Sequence, residues 1–304
     1  MKSRILQVVP TGGILHMTLA VCALLTALCV TAGAQTGKPV AGFAEVNGAR
    51  LYYEATGRGP AVVLLHGGLN DSRMWDDQMK PLSKHYRVVR YDLRGFGKSA
   101  ATSGQFWPTE DLRALLDFLK IERATVVGLS LGGIIAADFA LEHPERVERL
   151  VLVGAGLRGD KQPPDAKTMN AYRVGAREGA ERYFEAFLQS DLLAGVRERP
   201  RVRERMRRMM IDNYKALAYI SAGLSQSPEP PTAERLAQIK APTLVVIGSL
   251  DGKNLQNIAD TLAAKIPRAR KVTIHGASHH PPVETPKEFN RILLDFLREA
   301  RITP

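Results

Sequence analysis

Apolar and polar positions follow two periods along most of the chain. The continuous apolar run Ala61–Leu65 and the apolar, β-branched runs at Thr125–Val127, Arg149–Val153 and Thr243–Ile247 are the signature of buried strands, and Tyr86–Tyr91 and Arg270–Ile274 read as further strands. Between them, helical spacing marks Trp75–Leu82, Thr109–Leu119, Ile134–Leu141, Leu255–Lys265 and Glu288–Arg298. Pro108 suits a first helical turn, and His143-Pro144 stops the helix before it. Near the start, Phe43–Asn47 and Arg50–Glu54 flank Asn47-Gly48, a strong short hairpin signal.

From Leu157 to about Leu236 the strand-like runs vanish. Tyr172–Leu188 and Arg197–Ala222 read as amphipathic helices, bounded by Pro163-Pro164 and by Pro228, Pro230 and Pro231. Alternation resumes at Pro242. Strands alternating with helices predict an α/β fold: a mostly parallel twisted sheet flanked by helices on both faces, with a helical lid inserted over the sheet's C-terminal edge, where such sheets bind ligands. The expected division is core 35–156, lid 157–236 and core 237–304, preceded by a signal segment, 1–34.

The first 34 residues carry that signal pattern. Lys2 and Arg4 open it, Ile14–Val30 is mostly apolar, and Ala32-Gly33-Ala34 fits a small-residue cleavage site, with Gln35 as the mature start. The expected location is periplasmic or secreted, the competing reading an uncleaved membrane anchor. Both cysteines, Cys22 and Cys29, fall within the segment, so the mature chain has no disulfide and no cysteine ligand. The formal charge of +11 comes mostly from arginines dispersed among glutamates, and no nucleic-acid motif accompanies it.

Candidate chemistry centres on Gly128-Leu129-Ser130-Leu131-Gly132, a G-x-S-x-G pattern between a strand and a helix. Side chains at Gly128 and Gly132 would collide in so sharp a turn. The helix start directs backbone N–H groups at negative charge developing beside the serine oxygen. A serine hydroxyl needs a base, usually histidine, and the histidine needs an acid to fix its tautomer. Asp251 follows the strand Thr243–Ile247, and His275, His279 and His280 follow the strand ending at Ile274. The order Ser, Asp, His fits.

These features resemble the α/β-hydrolase superfamily over essentially all of the mature length. His66-Gly67-Gly68 resembles its oxyanion loop, and Asp92-Leu93-Arg94-Gly95-Phe96-Gly97-Lys98-Ser99 its D-x-R-G-x-G-x-S turn. His279, Pro281, Glu284, Pro286 and Phe289 are similar to its H-x-P-x-x-E-x-P-x-x-F ending, although Ser278 stands where the family has glycine and His280 follows directly. The resemblance implies Ser130 as nucleophile, Asp251 and His279 as its partners, and the N–H groups of Leu131 and Gly68 as the oxyanion hole, with Leu69 the alternative to Gly68. It implies no metal and no organic cofactor.

The expected function is a serine hydrolase acting on a small-molecule carboxylic ester or lactone. A carbon–carbon bond hydrolase, a cofactor-free perhydrolase and a non-catalytic ligand-binding homologue are the alternatives. His66, Asp92, Arg94 and Ser99 are expected to hold turns. The run Arg197, Arg199, Arg201, Arg203, Arg205, Arg207 and Arg208 reads as a solvated lid face paired with Glu198 and Glu204, or as a docking surface for anionic substrate or membrane. Met206, Met209, Met210, Tyr214 and Tyr219 fit an adaptable pocket or ordinary helix packing. The sequence assigns no oligomeric state.

Overall fold

The computed structural model describes residues 39–101, 103–162 and 165–299. The expected signal segment lies outside them. Eight strands form one sheet in the order β1-β2-β4-β3-β5-β6-β7-β8. Strands β1 (Val40–Val46) and β2 (Ala49–Thr56) make the predicted hairpin, and β2 also runs antiparallel to β4 (Arg87–Tyr91). Asn47 and Gly48 take φ of 48° and 68°, the two positive values that a tight primed turn requires.

The other strands are parallel: β4, β3 (Ala61–Leu65), β5 (Ala124–Leu129), β6 (Val147–Val153), β7 (Thr243–Gly248) and β8 (Ala269–Ile274). Every residue of β3, β5 and β7 is buried. Successive side chains point to opposite faces, so both faces of the central sheet are covered. The edge strand β8 carries Arg270 and Lys271 outward, charges that discourage edge-to-edge pairing.

Outside the stretch between β6 and β7, the helices are α1 (Asp76–Leu82), α2 (Pro108–Phe118), α3 (Leu131–Glu142), α10 (Lys253–Lys265), the short α11 (Pro281–Glu284), which packs against α1 and α12, and α12 (Pro286–Arg298). Helix α3 buries nine of its 12 residues and has no polar face, as a helix laid centrally against the sheet should.

Between β6 and β7 the chain is helical, as predicted, but more broken. Helices α4 (Ala166–Glu178) and α5 (Ala180–Phe187) replace one long helix, divided at Gly179, whose φ is 86°. The second expected helix becomes α6 (Ala194–Arg197), α7 (Pro200–Asp212) and α8 (Ala216–Ser221), followed by α9 (Thr232–Arg235). The break after α7 coincides with long-range contacts. Asn213 donates to the Asp71 carboxylate at 2.7 Å and accepts from the Gly97 N–H at 2.7 Å, tying the insertion to two core loops.

Met206, Met209 and Met210 are fully buried, which favours the packing reading. Most of the arginine run is paired, in part as expected. Glu204 pairs with Arg208 at 3.3 Å, but Glu198 joins no ion pair among the described residues. Arg205 reaches Asp77 at 2.6 Å, Arg207 reaches Glu181, and Arg199 reaches Glu284 at 3.4 Å. Folding carried distant carboxylates to these guanidinium groups, a selection that sequence spacing does not contain.

Candidate active site

Parallel strands deliver their following loops to a common edge, and the expected site residues follow β3, β5, β7 and β8. Ser130 occupies the turn from β5 into α3 with φ 52° and ψ −112°, outside the regions an L-residue favours. The glycines around it answer to space. A Cβ on Gly128 would stand 2.1 Å from the Gly132 carbonyl oxygen, and one on Gly132 would stand 2.4 Å from that of Leu65. Strain of this kind costs of order 1–3 kcal/mol and persists where the surroundings enforce it. Here two backbone bonds help to enforce it: Ser130 N–H to Val153 O and Ile134 N–H to Ser130 O, both 3.0 Å.

The strand end at Val153 also leads to the histidine. Gly154 comes next, with φ +46°, and a Cβ there would lie 2.9 Å from His279 Nδ1 and 3.4 Å from Asp251 Oδ2. The bare Cα of Gly154 thus makes room for the His279–Asp251 pair beside the strand end that anchors Ser130. His279 Nδ1 donates to Asp251 Oδ2 at 3.1 Å, and the Asp251 side chain has no exposed surface. With the proton on Nδ1, Nε2 carries the free lone pair.

His280 is a different kind of residue. It is buried, its Nε2 lies 3.4 Å from the Asn70 amide nitrogen, and its ring meets that of His279 edge-on at 5.1 Å between centroids. Burial, then the neighbouring His279 charge, pushes its pKa well below the usual imidazole value, so it stays neutral. His275 is exposed at the strand end and apart from this group.

Glu284 supports the histidine loop. Its carboxylate accepts from the N–H groups of Ser278 and His280 and from the Ser278 hydroxyl, each at 2.8 Å. The Ser278 hydroxyl oxygen also lies 3.1 Å from the Leu192 carbonyl. Ser278, the departure from the family's glycine, therefore sits between this carboxylate and the helical insertion.

The loop after β3 lies against the serine. A Cβ on Gly67 would be 3.4 Å from Ser130 Cβ. Asn70 shapes the loop by donating to the Gly68 carbonyl at 3.0 Å, and Leu69 holds φ 56°. Leu131 begins α3, so no carbonyl one turn earlier in the helix takes its N–H. His66 accepts from the Leu93 N–H at Nε2, 2.9 Å, and its Nδ1 faces the Gly67 carbonyl at 2.7 Å. Burial lowers its pKa, which leaves a neutral ring that joins two loops. Asp92 accepts from the Ser72 and Lys98 N–H groups, both at 2.8 Å, and Ser99 donates to the Asp92 carbonyl at 2.6 Å. These are the turn-holding roles expected of them.

Several participants had no local signal. Asn70, Leu192 and Asn213 act through partners far away in sequence. Glu284 was visible only as part of a family ending, without the three donors it serves.

A sequence model described as alpha/beta hydrolase fold matches residues 60–286. The chain belongs to the α/β-hydrolase family. This hydrolase is similar to the enol-lactonase from Burkholderia xenovorans LB400, with a TM-score of 0.74 and 32% identity over 84% of this chain and 100% of that one. It is also similar to the pimeloyl-[acyl-carrier protein] methyl ester esterase of Aeromonas hydrophila, 29% identical over 253 residues, covering 80% of this chain and 98% of the esterase. A 2-hydroxy-6-oxononadienedioate/2-hydroxy-6-oxononatrienedioate hydrolase of Burkholderia vietnamiensis is 33% identical over 267 residues, covering 82% of the hydrolase described here and 91% of that enzyme.

Proposed function

We propose that this hydrolase cleaves small carboxylic esters or lactones through an acyl-enzyme on Ser130. The observation that carries the reading is the His279 Nδ1–Asp251 bond held against Gly154, one residue beyond the carbonyl that anchors Ser130. Ser130 Oγ attacks the acyl carbon as His279 Nε2 takes its proton. Asp251 holds the imidazole in the required tautomer and stabilises its cation. Negative charge on the carbonyl oxygen falls to the N–H groups of Leu131 and Gly68. His279 then protonates the leaving alcohol, and activates water to release the acid from Ser130. The helical insertion 157–236 serves as a lid. The ester- and lactone-cleaving relatives support the substrate class.

A rate panel of aryl esters with increasing acyl length and a set of lactones, each with Ser130→Ala as control, tests the reading. Ser130→Ala should lower kcat by about 10⁴-fold or more. Its stability should stay within roughly 0.5 kcal/mol, because the hydroxyl carries no packing load. Turnover that survives the substitution would exclude the acyl-enzyme. Ser130-dependent cleavage of carbon–carbon substrates, with none of esters or lactones, would move the assignment to that reaction.

A further inference from the structure

A partly enclosed cavity lies against Leu131, the residue after Ser130. Leu93, Phe96, Phe106 and Ile135 make part of its lining apolar. The end of α8 and Ser225 also line it, and the strand-like pairing of Phe106 with Leu224 and Gln226 fastens that segment to the core. One side differs. Arg94 and Asp111 form a buried two-pronged ion pair, with Nη2 at 2.6 Å and Nε at 2.7 Å from the two carboxylate oxygens.

Tyr91 and Tyr219 also line the cavity, and both rings lie near this ion pair. Their hydroxyl oxygens are buried and have no hydrogen-bond partner among the described residues. Tyr91 is 1% exposed. Leaving one buried hydroxyl unpaired is costly, and two in one cavity call for a common explanation. Neither hydroxyl has an acceptor among the described residues, and the Asp111 oxygens bond to Arg94 and Asn47 instead. The remaining source of partners is the cavity's occupant. Burial raises both phenol pKa values, so both groups are protonated donors at neutral pH.

We propose that this cavity receives the acyl chain of the ester and that Tyr91 and Tyr219 recognise an uncharged oxygen acceptor, such as a ketone, ether or alcohol, toward the far end of that chain. The assignment rests on the serine-hydrolase reading of Ser130. The acyl limb suits a partly enclosed cavity because it stays attached to the enzyme after the alcohol has left. An uncharged acceptor suits it because Arg94 is already neutralised by Asp111, which leaves no free cation to pair with a carboxylate.

The test compares p-nitrophenyl hexanoate, its 5-oxo derivative and the corresponding adipate monoester on wild type, Tyr91→Phe, Tyr219→Phe and the double variant. Wild type should prefer the 5-oxo ester in kcat/KM, and each substitution should cut that preference roughly three- to tenfold, the scale of one neutral hydrogen bond. Both single variants should keep or raise Tm, because the hydroxyl removed has no protein partner. A 5-oxo preference that is absent, or the same in all four proteins, overturns the assignment, as does a preference for the adipate. Calorimetric binding of N-methyl 5-oxohexanamide against N-methylhexanamide reads the cavity without the chemistry. If ester turnover proves independent of Ser130, the hydrolytic mechanism falls. Equal amide affinities in all four proteins overturn the cavity assignment whatever Ser130 does.

Discussion

At the scale of single residues, the proposed site depends on what is missing from Gly154 as much as on the groups assigned to Ser130, Asp251 and His279. A methyl group there would enter contact distance of His279 Nδ1, on a backbone already at positive φ. Gly154→Ala should therefore displace the imidazole, and displacements near 1 Å cost on the order of 100-fold in rate. Steady-state kinetics should show the loss mainly in kcat, with KM little changed. A kcat near wild type would mean that the ring is not positioned against this residue. His280 illustrates a separate point. Adjacent histidines of identical chemistry receive different environments: His279 faces a carboxylate, and His280 an amide in a site that burial keeps neutral.

At the scale of elements, the loop after β8 is held by one side chain from α11. Glu284 gathers two backbone N–H groups and a hydroxyl, while Arg199, at the start of α7, approaches the same carboxylate and also donates to the Gly276 carbonyl at 2.9 Å. The helical insertion and the histidine loop thus share an anchor. Glu284→Ala would leave three donors without their partner at about 1–3 kcal/mol for each one that stays buried. Chemical denaturation should show a loss of at least about 3 kcal/mol on that basis, and Glu284→Gln, which keeps one acceptor oxygen, should lose less. A loss below about 1 kcal/mol would show that the loop finds other partners. The division of α4 from α5, and of α7 from α8, belongs to this scale too. Amphipathic spacing predicted helix on both sides of each break, while the α7–α8 break coincides with contacts to core loops.

For the whole molecule, acidity should act first through buried neutral histidines. Burial lowers the pKa of both His66 and His280, so the unfolded chain binds more protons than the folded one below the ordinary imidazole value near 6.5. Their contribution is complete above that pH and is lost as the pH falls from there toward the folded-state values. The loss is at most about 1.4 kcal/mol per pH unit for each histidine. Carboxylates act lower on the scale. Against the opposing effect of burial, bonds from Arg90 hold Glu54, and bonds from Arg73 and Asn213 hold Asp71, below the usual carboxylate range. Tm measured between pH 7.5 and 5 should therefore fall on the acid side, with a shallower slope in His280→Gln. An unchanged slope in that variant, together with a flat wild-type profile, would contradict burial of a neutral ring.

What depends on near neighbours is legible in the order of residues alone. Alternation of strand and helix, the Asn47-Gly48 turn, the strained Ser130 between small glycines and the order Ser130, Asp251, His279 all follow from backbone preferences and from which side chains fit a turn. The three-dimensional structure decided what depends on distance between remote segments: that Asp251 meets His279, that Asn70 meets His280, and that Arg94 and Asp111 lie near two tyrosine hydroxyls without partners. Such pairings are selected by packing across the sheet's C-terminal edge. The residues involved stand tens of positions apart, and no local periodicity records which of them will meet.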